Sequence, residues 1–419
     1  MNIWLIQVAE PLPITTGARK MRTAFLTDKL TDRGHNVLWW ASAFSHLEKK
    51  WIFRKDTELN VKENLTIKTL KGVGYRKNIS MSRFVDLRII AKKFKRSAPK
   101  MPKPDIIITS MPPHNIAFEV VMFAKKNNIP VLVDIRDEWP DLFLNHVPKK
   151  LQIFAKIALS REFFMIKKTM QMADGLIAAN NPFFEWGLNY AKRNKTWRDR
   201  VFYLGCKENH NPDNKSDRIF GLINDLSEKF VVLFMGTFGY YHNPSVLIKC
   251  ASKLIGSDVR FVLAGAGEFF EEIKNKASSL PNVKLPGWLN QNEITTLLQH
   301  CHVGVCPTTH ITDLFPNKVF TYLSAGLPVI SAFQGELKDI IKKEQIGFYF
   351  PPDDADTLSR CIEELHKNSV LYEKMSKNAV KIFTERFDAN MIYEDYSKHI
   401  ENIANMSNNS INIKYGNEK

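Results

Sequence analysis

Along this chain, unbroken apolar runs short enough for single strands alternate with stretches whose apolar residues recur every three or four positions, the spacing of one helix face. NIWLIQVAE reads as a strand ending in the loop PLPITTGARKMR; a helix over RTAFLTDKLTDRG, closed by Gly34, leads to the strand HNVLWWAS. Strand, glycine-bearing loop, helix and strand open a doubly wound α/β domain. Residues 80–103 carry apolar side chains at 84, 87, 90, 91 and 94, with six Lys and Arg between 83 and 96, and predict a basic amphipathic helix that stops at Pro99. Its stripe can pack on the sheet or lie on an anionic bilayer, and the reading taken is a mixture, stripe in the core and lysines toward lipid. DIIITSMPPHN is a buried strand emptying into a loop with His114, AFEVVMFAKKNN a helix, and IPVLVDIRDEWPD a strand whose carboxyl end sets Arg136, Asp137, Glu138 and Trp139 at one edge of the sheet. LQIFAKIALSREFFMIKKTMQMAD is a long helical stretch and GLIAAN a strand. Residues 187–228 are polar and turn-rich, so the interdomain linker is placed there, near 205–215.

The second half repeats the alternation. KFVVLFMGTFGYYHNPSVLIKCASKLI gives a buried strand, a turn holding Gly236 and Gly239, and a helix capped by Asn243 and Pro244. VRFVLAGAGEFFEEIKNKA gives a strand, then Gly265-Ala266-Gly267-Glu268, then a helix. After NVKLPGWLNQNEITTLLQHC and the strand VGVCPT comes FPNKVFTYLSAGLPVIS, residues 315–331. Pro316 and Asn317 suit the start of a helix, Lys318 falls in its first turn, and Gly326 with Pro328 stops it after about two and a half turns. GFYFPPDDADTL leads an edge helix, and NMIYEDYSKHIENIA a last helix able to cross back to the first domain. The expected organisation is a first domain over 1–208, a second over 209–388, the crossing helix over 389–404 and a disordered tail over 405–419.

Composition adds a strong asymmetry. The chain carries a net charge of +15, yet residues 1–205 hold 36 Lys and Arg against 18 Asp and Glu, and the remainder is slightly acidic. The basic half points to an anionic partner, such as a membrane surface or a phosphorylated acceptor; a solubility role explains the lysines equally simply. A nucleic-acid module has only the charge in its favour, since no aromatic-interleaved basic sheet or recognition helix stands out. No run reaches the roughly 18 apolar residues of a membrane span, and the first residues lack a signal-peptide pattern, so a cytoplasmic protein is expected. Cys206, Cys250, Cys301, Cys306 and Cys361 are scattered, without a C-x-x-C pair, as reduced core thiols would be.

The candidate chemistry is anion binding. A helix start bears unpaired N–H groups, Lys318 adds a full charge beside them, and the two glycine turns leave bare backbone toward one crevice, which suits a nucleotide diphosphate. Gly17 lets the backbone approach a ligand, with Arg19, Lys20 and Arg22 able to reach an anion. His114 and the Arg136–Trp139 cluster lie where α/β sheets bind ligands, with a structural Arg–carboxylate network as the alternative.

These motifs, in their order, resemble the glycosyl transferases of family 4: GTFGYYHN, LAGAGE, LPGWLNQNEI, FPNKVFTYLSAGLPVIS and GFYFPPDDADTL in the second half, and, as in the bacterial surface-polysaccharide branch, RGHNVLWWAS, IIITSMPPH and IPVLVDIRDEWPD in the first. The resemblance implies the α/β GT-B fold, two Rossmann-like doubly wound domains facing across a cleft, with acceptor on the first and nucleotide-sugar donor, a UDP-sugar, on the second. It implies donor contacts from Gly236, Thr237, Phe238 and Gly239, from Gly265, Gly267 and Glu268, from Trp288 and Leu289 at the base, and from Asn317, Lys318, Val319 and Thr321, with Gly17 and Arg19 assisting. Asp313 and Thr321 fall where the family has paired glutamates; Thr321 departs from that pattern, and its hydroxyl would hold a ribose less strongly than a carboxylate. The family's basic pair after the first donor-domain strand is replaced by Tyr240, Tyr241 and His242.

The expected reaction moves a sugar to a hydroxyl of a lipid-linked saccharide, for lipopolysaccharide or a related surface polysaccharide, with retention and without a metal. Lys318, Asp313 and Asp137 are the expected catalytic residues, and His114, Arg136 and Asp137 the acceptor contacts. A peripheral place on the inner face of the cytoplasmic membrane follows from the basic first domain. The alternatives are a sugar-nucleotide 2-epimerase or a donor-binding protein without turnover.

Overall fold

The computed structural model describes residues 1–14, 20–144, 147–207 and 217–416. The chain forms two compact units, one of residues 1–203 with 392–419, the other of 204–391. The first unit is built on an eight-stranded sheet in the order Arg200–Val201, Gly175–Ala178, Val131–Ile135, Ile106–Met111, Asn2–Ile6, Asn36–Ser42, Leu65–Leu70, Thr57–Lys62. All neighbours run parallel except the last pair. The apolar runs read as strands are buried on both faces, as a sheet sandwiched by helices requires. Trp4, Trp40 and Phe94 interlock edge to face at 5.0–6.4 Å at the centre of the core.

The helix Met81–Ser97 forms, with Ser80 accepting from the Arg83 N–H at its start. Leu87, Ile90, Ala91 and Phe94 are buried, while Arg88, Lys93 and Lys95 pair with Glu162, Asp56 and Glu119. Three of its six cations are therefore ion-paired within the fold, and a fourth, Arg83, donates to the Asn78 carbonyl. The stretch read as irregular from 187 onward differs more. A helix Asn181–Ala191 reaches into it, capped by the Asn180 side chain with Pro182 in its first turn, and a further helix covers Asp217–Leu226. Residues 208–216, the centre of the expected linker, lie outside the described residues.

The second unit has a six-stranded parallel sheet in the order Val283–Gly287, Val259–Ala266, Phe230–Thr237, Val303–Cys306, Val329–Ser331, Gly347–Tyr349. The chain builds outward from its first strand on one side, then returns to build on the other. The crevice at that reversal, outside the carboxyl ends of Phe230–Thr237 and Val303–Cys306, is where such sheets take ligands. The equivalent point in the first unit lies between Asn2–Ile6 and Ile106–Met111.

The last helix, Ala389–Gly416, starts in the second unit and from Ile392 belongs to the first. There Tyr393 stacks on Phe25, Tyr396 on Phe202, and Arg33 forks onto Glu394 and Glu401. The tail expected from 405 continues this helix to Gly416; residues 417–419 lie outside the described residues.

Candidate functional site

In the second unit, strands Phe230–Thr237 and Val259–Ala266 run in register, pairing Gly236 with Gly265 and Thr237 with Ala266. Gly236, Gly265 and Gly267 have φ of +136°, +152° and +151°, values side chains rarely adopt. A Cβ on Gly265 would lie 1.8 Å from the Gly236 carbonyl oxygen, and one on Gly267 2.5 Å from that of Phe238. The two turns are glycine-bearing because they lie against each other. Phe238 is a fully buried plug whose N–H donates to Ala266 and whose carbonyl accepts from Phe269. Thr237 and Glu268 are exposed. Gly239 is extended, and a Cβ there would meet only the Thr237 methyl at 3.8 Å.

The helix behind these turns covers Lys318–Ser324, seven residues, shorter than the sequence suggested. The Val319 and Phe320 N–H groups donate to the Pro316 and Asn317 carbonyls at 3.1 and 3.2 Å, and the Asn317 side chain makes no cap. A broad row of bare amides is therefore not what this helix offers. Its position is fixed by Tyr322, whose ring fills the space beside Gly304 and whose hydroxyl accepts from the Met235 N–H at 3.1 Å. One turn earlier on the same face stands Lys318.

The Lys318 ammonium comes to rest 3.1 Å from where a Gly236 Cβ would stand, and 4.1 Å from the centre of the Phe234 ring. It is shut off from solvent and has no hydrogen-bond partner, although the residue as a whole keeps some exposure. Burial, opposed only by Cys306, pushes its pKa down to about 8. A desolvated cation is tolerable over an aromatic face, but it remains short of an anion.

His242 stands in the same neighbourhood. Its ring packs on Phe333 at 5.4 Å, and its Nδ1 is out of solvent without a partner. Burial and then the Lys318 charge push its pKa down to about 3, so the imidazole is neutral. The sequence offered no signal for this role beyond the absence of a basic pair there. Tyr240 stacks on His310 at 4.3 Å. Asp313 is exposed beside Gly335, and its loop is pinned where the Thr312 carbonyl accepts from the Gln334 N–H at 2.9 Å. Val319 is fully buried and Thr321 partly so. Trp288 is exposed, Leu289 buried, and the Trp288 carbonyl accepts from Arg218.

In the first unit, Gly17 and Arg19 lie outside the described residues. Each nitrogen of the Arg136 guanidinium is engaged, by Asp134, Glu10 and Thr23. Arg22 is buried and donates to Asp134 and to the Phe202 and Tyr203 carbonyls. Burial would raise the Asp134 carboxyl, but Arg22 and Arg136 hold it below the usual carboxylate range. Arg136 thus serves the network named above as the structural alternative.

His114 begins the helix His114–Lys126, with both ring nitrogens buried and unpartnered; burial and then Arg88 push its pKa down to about 4. Burial raises the Asp137 carboxyl, against its bonds with the Glu138 N–H and Trp139 and the charge of Arg83. Arg83, unassigned from sequence, lies over the Trp139 ring at 4.5 Å with its Nε buried and unpartnered. Only its place on the basic helix hinted at it.

Residues 218–382, which lie within the second unit, match the family described as Glycosyl transferases group 1. A sulfoquinovosyl transferase of Arabidopsis thaliana is 24% identical over 299 residues, covering 68% of this chain and 54% of the relative. A Campylobacter jejuni α-1,4-N-acetyl-D-galactosaminyltransferase, named for an acceptor on PP-undecaprenol, is 24% identical over 198 residues, covering 46% of this chain and 54% of the relative. The chain thus spans about half the length of the curated relatives it matches. Among solved structures, HepE of Anabaena in complex with UDP-glucose superposes with a TM-score of 0.62 at 14% identity, over 96% of this chain and 100% of that one. The fold is GT-B, two Rossmann-like α/β domains with parallel sheets.

Proposed function

We propose that the protein is a glycosyltransferase that moves a sugar from a UDP-sugar to a hydroxyl of a lipid-linked saccharide, with retention of configuration, in the building of cell-surface polysaccharide at the inner face of the cytoplasmic membrane. The observation that carries this reading is the Lys318 ammonium, desolvated, unpartnered and fixed at the carboxyl end of the central strand of the unit that matches the group 1 family. HepE, with UDP-glucose, and the Campylobacter relative, with its PP-undecaprenol acceptor, support the donor and acceptor classes.

Breaking the bond between sugar and diphosphate leaves positive charge on the ring and negative charge on the departing phosphate. A fixed cation in a dry setting stabilises that anion without reorganising. Lys318 supplies it, and the bound diphosphate in turn raises the lysine pKa. Gly236, Thr237, Gly239, Gly265 and Gly267 bring backbone close to the diphosphate; Asn317 and Val319 frame it, and Phe238 props the turn from beneath. Glu268 and Asp313 take sugar hydroxyls, and neutral His242 offers one more hydrogen bond without competing charge. Trp288 and Leu289 meet the base and Thr321 the ribose. For retention, the incoming hydroxyl attacks on the face the leaving group vacates, and a departing phosphate oxygen takes its proton. In the first unit, His114, Asp137 and Arg83 hold acceptor hydroxyls. Positive charge at the leaving group comes from the lysine, so the reading calls for no metal.

Thr321 in place of a carboxylate keeps a second reading alive, a 2-epimerase or a donor-binding protein without turnover. Thermal shift against a panel of nucleoside diphosphates and sugar nucleotides, followed by product analysis with membrane extract as acceptor, separates them. Stabilisation by UDP, with UDP released only when acceptor is present, is the expected result. An epimerised sugar nucleotide would support the second reading, and no stabilisation by any nucleotide would sink both.

A further inference from the structure

The helix Gln152–Ala158 buries none of its residues. Leu151, Ile153, Phe154 and Ile157 are 53%, 61%, 66% and 65% exposed, which makes this the densest run of exposed large apolar side chains among the described residues. Residues 153, 154 and 157 share one helix face. The segment is nonetheless held: the Gln152 amide donates to the Leu144 and Val147 carbonyls at 3.1 and 3.3 Å, and Met165, Ile166 and Met170 of the following helix are buried.

Within residues 149–168 the exposed charge has one sign. Lys149, Lys150, Lys156, Arg161, Lys167 and Lys168 are exposed, and the one carboxylate between 149 and 168, Glu162, is buried and paired with Arg88. Uncharged polar side chains in that span are Gln152, used internally, and Ser160. A folded partner would be expected to need acceptors and donors to fix its orientation; a bilayer needs neither. Exposed apolar side chains interspersed with exposed cations suit the boundary between acyl chains and anionic headgroups.

We propose that residues 149–168, and not the helix Met81–Ser97 singled out by its sequence pattern, are the surface by which the first unit rests on an anionic lipid bilayer. Leu151, Ile153, Phe154 and Ile157 enter the interface while the lysines meet phosphate. The proposal deepens the transferase reading, on which it rests for what the membrane presents, a lipid-linked acceptor.

The test is co-sedimentation of the full chain with phosphatidylcholine vesicles with and without phosphatidylglycerol, at low and high salt. Wild type should bind the anionic vesicles and be weakened by salt. A combined Ile153→Gln, Phe154→Gln and Ile157→Gln variant should lose at least about tenfold in partition, since each exposed apolar side chain removed forfeits its transfer energy. Lys93→Gln with Lys95→Gln should change it little. Wild type that stays in solution, or a triple variant that binds like wild type, overturns the proposal. So does a triple variant whose loss appears as dissociation of a dimer in sedimentation velocity, which would make the face a contact between copies. UDP thermal shift on the same samples keeps the two readings apart: vesicle binding without UDP binding removes the transferase and leaves the surface, and the reverse removes the surface alone.

Discussion

The two sheets place charge at their carboxyl ends in opposite ways. In the first unit Arg22, Arg136, Asp134 and Glu10 form a closed set, each charge answered within hydrogen-bonding distance. In the second, Lys318 stands against the strand end with an aromatic ring beneath it and no carboxylate. Both are buried, so burial does not separate them. Completeness does: a closed set ties elements together, whereas an open charge holds free energy that only an arriving anion can recover.

The sharpest way to break the comparison is to open the closed set. Asp134→Ala leaves Arg22 buried with two carbonyls and no anion, and should destabilise the protein by about 3–5 kcal/mol, read as a lower urea midpoint. A loss under 1 kcal/mol would mean that Arg22 relaxes to solvent. Closing the open charge is the next test. Lys318→Met should raise stability in the absence of ligand by about 1–3 kcal/mol, nearer the lower value because the lysine stem keeps some solvent contact, while UDP affinity and turnover fall by roughly two orders of magnitude. The sign follows from the pKa near 8, below the 10.5 of the unfolded chain: a buried ammonium weakens the fold at neutral pH, and that penalty fades as pH rises from 8 toward 10.5. A variant destabilised yet fully active would show the charge to be structural. The smallest effect concerns the neutral imidazoles. His46, His114 and His242 have folded pKa values of about 4, 4 and 3 against 6.5 unfolded, so stability is full above pH 6.5 and is lost as pH falls through that window. Urea midpoints between pH 7 and 4.5 should decline, and His242→Gln should flatten part of the slope.

The alternation of buried runs and helical spacings was enough to read two parallel sheets, because strands covered on both faces must be continuously apolar. Glycine turns were legible for a related reason: only glycine fits the contact between Gly236 and Gly265, so composition there reports geometry. Residue pairing was not legible. Arg136 stands beside Asp137 in sequence, yet it points to Asp134 and Glu10, and nothing in a linear pattern distinguishes a charge with a distant partner from one without. The same blindness hid His242, whose surroundings, Phe333 and Lys318, are distant in sequence. Amphipathic spacing at residues 81–97 placed the apolar stripe in the core, where it lies, but the same pattern understated 149–158, too short and too evenly apolar to show a period.

The passage of the last helix from one unit to the other bears on how the molecule is made. The second unit is a single uninterrupted segment and can complete itself as soon as residue 391 has left the ribosome. The first unit, although begun earlier, lacks Tyr393, Tyr396 and the carboxylates that clasp Arg33 until the whole second unit has been synthesised, so the order of maturation runs opposite to the order in which the two units begin.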